Sequence, residues 1–420
     1  MRWMLLLLAV VYCPLLMARV WEVGEGKSFP NIRPALTAAL EGDTVYVYSG
    51  TYTEGNLVID RQISLIGIGY PVLDGEFTHE LMTIKARGVR VEGFHLKNSG
   101  HMSTIDIAAI KVLAADSVVI LGNQITDCNF GIYLSNVRWG RIESNVLTGS
   151  PKEEQNTGNG IHLWKCDSAT ISDNRVKGHR DGIYFEFVTH STVTNNHSEG
   201  NIRYGLHFMF SHNDTYLGNL FRKNGAGVAV MYSHHVIMGN NDFEENLGAA
   251  AYGILLKDIS DSHIYCNRFV RNSAALYLEG SNRINIERNL FLENGWALRV
   301  QASCTDNTIR HNQFQRNSFD VATNGHVVLN TFNGNYWDHY EGYDLNKDGH
   351  GDVPFRPVSL FSSIAEQMPY ALLFLHSLAM YLLDRAERWM PSLTPPTLTD
   401  ESPFMAPILD EGGEDLTVTR

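Results

Sequence analysis

Basic charge is scarce in this chain. Lys and Arg together number 33 against 46 Asp and Glu, for a net charge of −13. That excludes the basic footprint by which proteins hold nucleic acid, so no nucleic-acid partner is expected. Part of the acid falls at 400–401, 410–411 and 414–415, and the Pro-containing segment 393–420 reads as a solvated acidic tail. An apolar run of the roughly 20 residues that span a bilayer is also missing. The run from Trp3 to Met17 is too short for an anchor, follows Arg2 and precedes the small residue Ala18, so 1–18 reads as a secretory signal peptide. Cysteine is sparse: beyond that segment only Cys128, Cys166, Cys266 and Cys304 remain. Export would permit them to pair.

What is abundant is a repeat. Asn follows short apolar segments at 123, 145, 174, 196, 219, 240, 267, 289 and 312, mostly 21 to 23 residues apart, with insertions at 148–159 and 241–252. A small residue opens each following segment, at Gly131, Gly160, Gly182, Gly205, Gly227, Gly253, Ala275 and Ala297. The segments GIYLS, GIHLW, GIYFE, GLHFM, GVAVM, GILLK, ALYLE and ALRVQ are apolar at alternate positions. Period two marks a strand with one buried face. A unit of about 22 residues buries that face by stacking on its neighbours. A leucine-rich repeat would need Leu-x-x-Leu-x-Leu, which is absent. The expected fold is therefore all-β, a right-handed parallel β-helix over 19–336, with Asn side chains stacked in hydrogen-bonded ladders at the turns.

The register has consequences. Cys166 and Cys304 lie six coils apart, as do Cys128 and Cys266; at about 4.8 Å per coil that is roughly 29 Å, far beyond disulfide reach. Free thiols are expected. The outward positions read Tyr133, His162, Tyr184, His207, and then Glu186, Met209, Met231, Lys257. Met209 should lie beside Met231 and His212 beside His234, with His207 on the same face. Thioether and imidazole donors suit copper. His207, Met209, His212, Met231 and His234 thus form a candidate transient copper site; a protein-contact patch and plain packing are the alternatives.

Two C-terminal features lie outside the repeat. Within 337–360, residues 344–352 (DLNKDGHGD) carry oxygen donors at alternate places with Gly sixth, as calcium loops do. Asp344, Asn346, Asp348, His350 (through its carbonyl) and Asp352 are the candidate ligands. Phe355 stands where the bidentate Glu belongs, and a polar tight turn is the other reading. Over 361–392 the apolar spacing becomes helical. Leu372, Leu373, Phe374, Leu375, Leu378, Leu382 and Leu383 make a greasy segment that either caps the solenoid or docks on a membrane protein.

The stretches GLHFMFSHND (205–214), AVMYS (229–233) and NYWDHYEGYDLNKDGHGDVPFRPVSLF (335–361), with the helical segment 366–390, resemble the NosD family, periplasmic accessory proteins of nitrous oxide reductase maturation. The resemblance implies a periplasmic protein held at the inner membrane by an ABC transporter, a permease with its ATPase. It implies help in assembling the copper–sulfide cluster of nitrous oxide reductase, either by taking copper from a lipoprotein chaperone or by presenting apo nitrous oxide reductase to the complex. The helical segment then becomes the permease-docking element. No ATP-binding motif is present, so ATP hydrolysis falls to a partner. A polysaccharide-binding or -cleaving β-helix is the main rival, and an adhesin the second. The former needs a carboxylate pair; Glu186 and Glu279 are four coils apart, although Asp173 and Asp181 lie near Glu186.

Overall fold

The computed structural model describes residues 18–102, 104–150, 153–325, 329–375, 377–390 and 398–408. The signal peptide expected at 1–18 lies outside this range except for Ala18, as do 393–397 and 409–420 of the expected tail. The described chain is an all-β parallel solenoid with helices at its C-terminal end. Fourteen strands, from Val20–Val23 to Leu329–Asn333, form the first sheet. Thirteen, from Thr51–Tyr52 to Tyr336–Trp337, form the second, and twelve, from Leu57–Ile59 to Phe319–Ala322, the third.

The period-two pattern sets the register. In the third sheet Ile132, Ile161, Ile183, Leu206, Val228, Ile254, Leu276, Leu298 and Val321 are partners on successive coils. All are fully buried, and each such side chain contributes about 1.5–3 kcal/mol. On the second sheet Phe221, Phe243, Phe269, Phe291, Phe314 and Trp337 stack in a column with centroids 4.1–5.4 Å apart. The small residue opening each segment answers to crowding. A Cβ on Gly205 would meet Gly227 O at 2.7 Å and Phe221 Cδ1 at 2.8 Å.

The asparagine column is continuous. Each side-chain amide donates to the Oδ1 of the next, along 123, 145, 174, 196, 219, 241, 267, 289, 312 and 335, at 3.0 Å or less. Each Oδ1 also accepts the backbone N–H of the preceding Asn. Asn241, not the expected Asn240, fills the sixth place; Asn240 takes a left-handed turn conformation beside it. A second column runs through Asn201, Asn224, Asn246, Asn272, Asn294 and Asn317. None of the four cysteines is held in a disulfide among the described residues. Burial pushes the Cys128 thiol up to about 12 and Cys166 to about 11, which removes both as thiolate nucleophiles.

Both ends are closed. At the first coil, helix α1 (Ile32–Ala38) buries Ile32 and Ala35. Glu54 accepts from Ile32 N and Arg33 N at its N-terminus, and Arg61 donates to carbonyls at its C-terminus, as the helix dipole favours. At the last coil the reading of a solvated tail is corrected over 398–408. Residues 398–408 return to the solenoid, and Asp400 is fully buried. Its carboxylate accepts from Gly334 N, Asn335 N, Asn335 Nδ2 and Trp337 Nε1 at 2.9–3.0 Å. It ends the asparagine column. A carboxylate accepts without having to donate onward, which is why an Asp rather than another Asn stands there.

Removing that acceptor should be costly. Stranding buried donors costs about 1–3 kcal/mol each. Asp400→Ala is expected to lower the urea midpoint clearly and Asp400→Asn less, followed by far-UV circular dichroism; an unchanged midpoint in the Ala variant contradicts the capping role. Asp214 gives a pH test. It is fully buried, accepts from Ser191 N, and its Oδ2 has no hydrogen-bond partner. Burial pushes its carboxyl up to about 8, against about 3.9 in an unfolded chain. The folded state therefore holds a proton that the unfolded state releases between pH 4 and 8, and its contribution to stability falls across that window. Asp214→Asn should gain thermal stability relative to wild type as pH rises from 4 to 8; a pH-independent difference in Tm counts against it.

Candidate functional site

The corner after the third-sheet strands Asp181–Glu186, Tyr204–Met209 and Ala226–Met231 carries an exposed row of side chains. Met209 and Met231 are partners across adjacent coils, between Glu186 on one side and Lys257 on the other. Tyr184 Oη donates to Met209 Sδ at 3.8 Å. One residue on, Phe187, Phe210 and Tyr232 turn the corner with positive φ and stack at 5.3 and 5.0 Å. They are 38–44% exposed. Beyond them the rings of His212 and His234 stack at 3.9 Å and 8°. His212 Nδ1 accepts from His234 N, and His234 Nδ1 lies 2.8 Å from His235 Nδ1. Burial and the neighbouring His234 and His235 hold the His212 imidazole below its usual range, so the neutral ring is favoured; with Nδ1 accepting from His234 N, its one proton sits on Nε2.

The expected five-residue cluster thus separates into three parts. The Met pair and the His pair flank the aromatic row on one corner. His207 is a correction: it was expected outward, and its side chain is 6% exposed. It stands in a packed column with Tyr133, His162 and Tyr184, with centroids 4.6–5.0 Å apart. His162 is likewise buried; burial drives it down to about 3 and keeps it neutral. The insertion at 148–159 explains the burial in part. Asn159 Nδ2 lies 3.0 Å from His162 Nδ1, and Glu154 pairs with Arg203 at 3.6 Å. Arg203 in turn forks onto Asp181. His207 Nε2 has no hydrogen-bond partner. Met238, on the same coil as His235, is a core residue with no exposure.

The soft donors are therefore presented in rows rather than gathered in a cage. Among the described residues, no three His, Cys, Asp or Glu donors on this corner approach within 4.8 Å. The carboxylates weighed for glycan cleavage do not form a pair either. Glu186 and Glu279 are four rungs apart, Glu279 pairs with Lys257, Asp181 is committed to Arg203, and Asp173 is exposed on another turn.

In the acidic loop Asp344, Asn346 and Asp348 fold onto their own backbone. Asp344 accepts from Asp348 N and Gly349 N, Asn346 from Asp348 N, and Asp348 from His350 N. Asp352 accepts from Leu345 N. His350 packs on Phe404 at 4.4 Å and reaches Ser402. Beyond the loop, helix α2 (Leu360–Gln367) is fastened to the solenoid: Phe361 stacks on Phe319, and Arg299 Nη2 donates to both carboxylate oxygens of Glu366 at 2.8 Å. Pro369 ends that helix, a 3-10 turn follows over Pro369–Phe374, and Ser377 caps helix α3 (Leu378–Trp389). Leu373, Phe374, Leu378 and Leu382 are 56–84% exposed, and Leu372 is 37% exposed. Leu375 and Leu383 are partly buried. Tyr370 and Trp389 extend the apolar surface. No helix among the described residues is long and apolar enough to cross a membrane.

The fold and these surfaces define a solenoidal binding protein, a stiff stack that displays one soft-donor corner and one apolar arm. A family model described as "Periplasmic copper-binding protein (NosD)" matches residues 143–342. A "Probable ABC transporter binding protein NosD" of Pseudomonas aeruginosa is 31% identical over 384 residues, covering 87% of this chain and 89% of that protein. One of the same description from Stutzerimonas stutzeri is 27% identical over 406 residues, covering 91% of each. The chain belongs to the NosD family. Among solved structures it is similar to PfbA, a surface adhesin of Streptococcus pneumoniae (TM-score 0.58, 11% identity, 70% of this chain and 88% of that one). It is also similar to the catalytic unit of a GH87 α-1,3-glucanase from Streptomyces thermodiastaticus (TM-score 0.55, 14% identity, 73% and 62%). At such identities the likeness extends to the fold alone.

Proposed function

We propose that this chain is a non-enzymatic periplasmic factor that works with an ABC transporter in assembling the copper site of nitrous oxide reductase. The observation that carries this reading is the apolar arm. Helix α2 is pinned to the last coil by the Arg299–Glu366 ion pair, while α3 and the turn before it leave large side chains in solvent. A contiguous exposed patch of this kind marks an interaction site. The names of the relatives supply the partner class, an ABC transporter. Its permease is the surface that Leu372, Leu373, Phe374, Leu378 and Leu382 dock on, and its ATPase supplies the hydrolysis. Inner-membrane association follows from that docking.

Copper is cargo in this reading. Met209, Met231, His212 and His234 offer it soft donors in rows, open to an incoming lipoprotein chaperone on one approach and to apo nitrous oxide reductase on another. An open row favours handover, because a cation held by two or three donors leaves easily. His207, two residues before Met209 on the same strand, has an unpartnered Nε2 and is the reserve donor of the set. The loop at Asp344, Asn346, Asp348, His350 and Asp352 would take calcium as a structural ion. The Asx turns there already preform the loop, so calcium would tighten it rather than build it.

Two measurements test the proposal. Leu373→Asp with Leu382→Asp should abolish co-purification of the transporter permease from solubilised membranes while the far-UV spectrum is unchanged; full retention of the permease refutes arm docking. Met209→Leu with Met231→Leu should weaken Cu(I) binding, measured against a competing chelator, by tenfold or more. Wild-type protein that binds Cu(I) no tighter than about millimolar removes the cargo reading.

A further inference from the structure

At the C-terminal end of the solenoid, away from the Met and His rows, three side chains meet that none of the preceding functions uses. Asp320 lies on the last strand of the third sheet, Phe319–Ala322. Asp338 and His339 follow the last strand of the second sheet, Tyr336–Trp337. The end of one wall thus meets the end of another. One donor atom from each residue lies within 4.8 Å of the other two, and among the described residues this is the sole such group of His, Cys, Asp and Glu.

The way each carboxylate is used matters. Asp320 spends Oδ1 on Asn317 Nδ2, at the foot of the second asparagine column, and turns Oδ2 to His339 Nδ1 at 3.2 Å. Asp338 spends Oδ2 on Arg316 N and leaves Oδ1 shielded from solvent, 3.2 Å from the same nitrogen and without a hydrogen bond. Each acid therefore has one oxygen committed to the fold and one turned to the imidazole. The Asp320 side chain is 5% exposed. A protonated imidazole offsets one of the two negative charges; a divalent cation offsets both, and burying an uncompensated charge is expensive.

We propose that Asp320, Asp338 and His339 bind a zinc-type divalent cation. Imidazole with two carboxylates is a borderline-to-hard donor set. Zinc ligands lie about 2.0–2.1 Å from the metal, which puts neighbouring tetrahedral donors roughly 3.3 Å apart, close to the 3.2 Å seen from His339 to each oxygen. Six or more oxygens, as calcium requires, are not present. A cavity of about 850 Å³ opens on Asp320 and His339 and leaves room for water as fourth ligand; Tyr340, Arg356 and Ser377 also line it. The ion clamps the segment after Trp337 to the last strand of the third sheet, directly beneath α2 and α3. The cation is resident and structural, distinct from the cargo copper of the Met corner.

The test is a titration of metal-free full-length protein with Zn²⁺ against a chromophoric chelator, with thermal melts in parallel. Wild type should bind one equivalent at micromolar or better and gain Tm on loading. Asp320→Asn and His339→Ala should each lose at least tenfold in affinity and lose the Tm gain, with unchanged far-UV spectra. Met209→Leu with Met231→Leu should bind Zn²⁺ as wild type does, so that failure of the copper reading leaves this one standing. Absence of stoichiometric Zn²⁺ binding by wild type, or changes under tenfold in both site variants, overturns the proposal.

Discussion

A primary amide buried without partners is expensive, and the structure rests on how that demand is met. Every asparagine of the main column donates forward and accepts from behind, so no member is satisfied unless its neighbours are in register. Such a chain has a direction and needs a terminus that accepts without donating. Asp400 is that terminus, reaching back 65 residues to Asn335. The second column ends in the same way, with Asn317 donating to Asp320. Two carboxylates at one end of the solenoid thus complete two amide columns, and one of the two also faces His339.

Register fixed in this way makes the surface predictable. A coil cannot slip by one residue without turning its aliphatic wall outward and breaking the amide column. The stacked histidines, the paired methionines and the aromatic row between them therefore take their mutual positions first from the coil register, and the ring stacks and the His234 N to His212 Nδ1 hydrogen bond add to it. The backbone delivers them as three parallel rows, about one strand spacing per coil. The stiffness that lines the donors up also prevents them from closing round an ion.

Much of this was legible in the sequence, for a physical reason. In a solenoid, neighbours in space are one period apart in sequence, so the pairing of Met209 with Met231 and of His212 with His234 is arithmetic on the repeat. The absence of a disulfide among the described residues follows from the same arithmetic. The row of Phe187, Phe210 and Tyr232 was equally available, since its members recur with that period, but they stand at turn positions where aromatic residues are not anticipated. His207 was misplaced because the alternation reports which side of a wall a residue takes, not what lies over it. The insertion at 148–159 and the tyrosines beside the imidazole decide that. Asp400 and the Asp320, Asp338, His339 group could not be found by period at all. They lie where the repeat ends and the chain returns on itself, with contacts set by closure of the last coil. Asn241 displaced Asn240 for a local reason: in a pair of adjacent asparagines, one turns the corner and the other enters the column.

The return of 398–408 has a mechanical consequence. The helical arm is not a loose end hung from the last coil. It is a closed loop with both feet on that coil, one at Trp337 and the other at Asp400, which are themselves joined through the indole N–H. A pull on the arm is shared between the two anchorages. Force on such a handle reaches the end of the stack through two attachments rather than one.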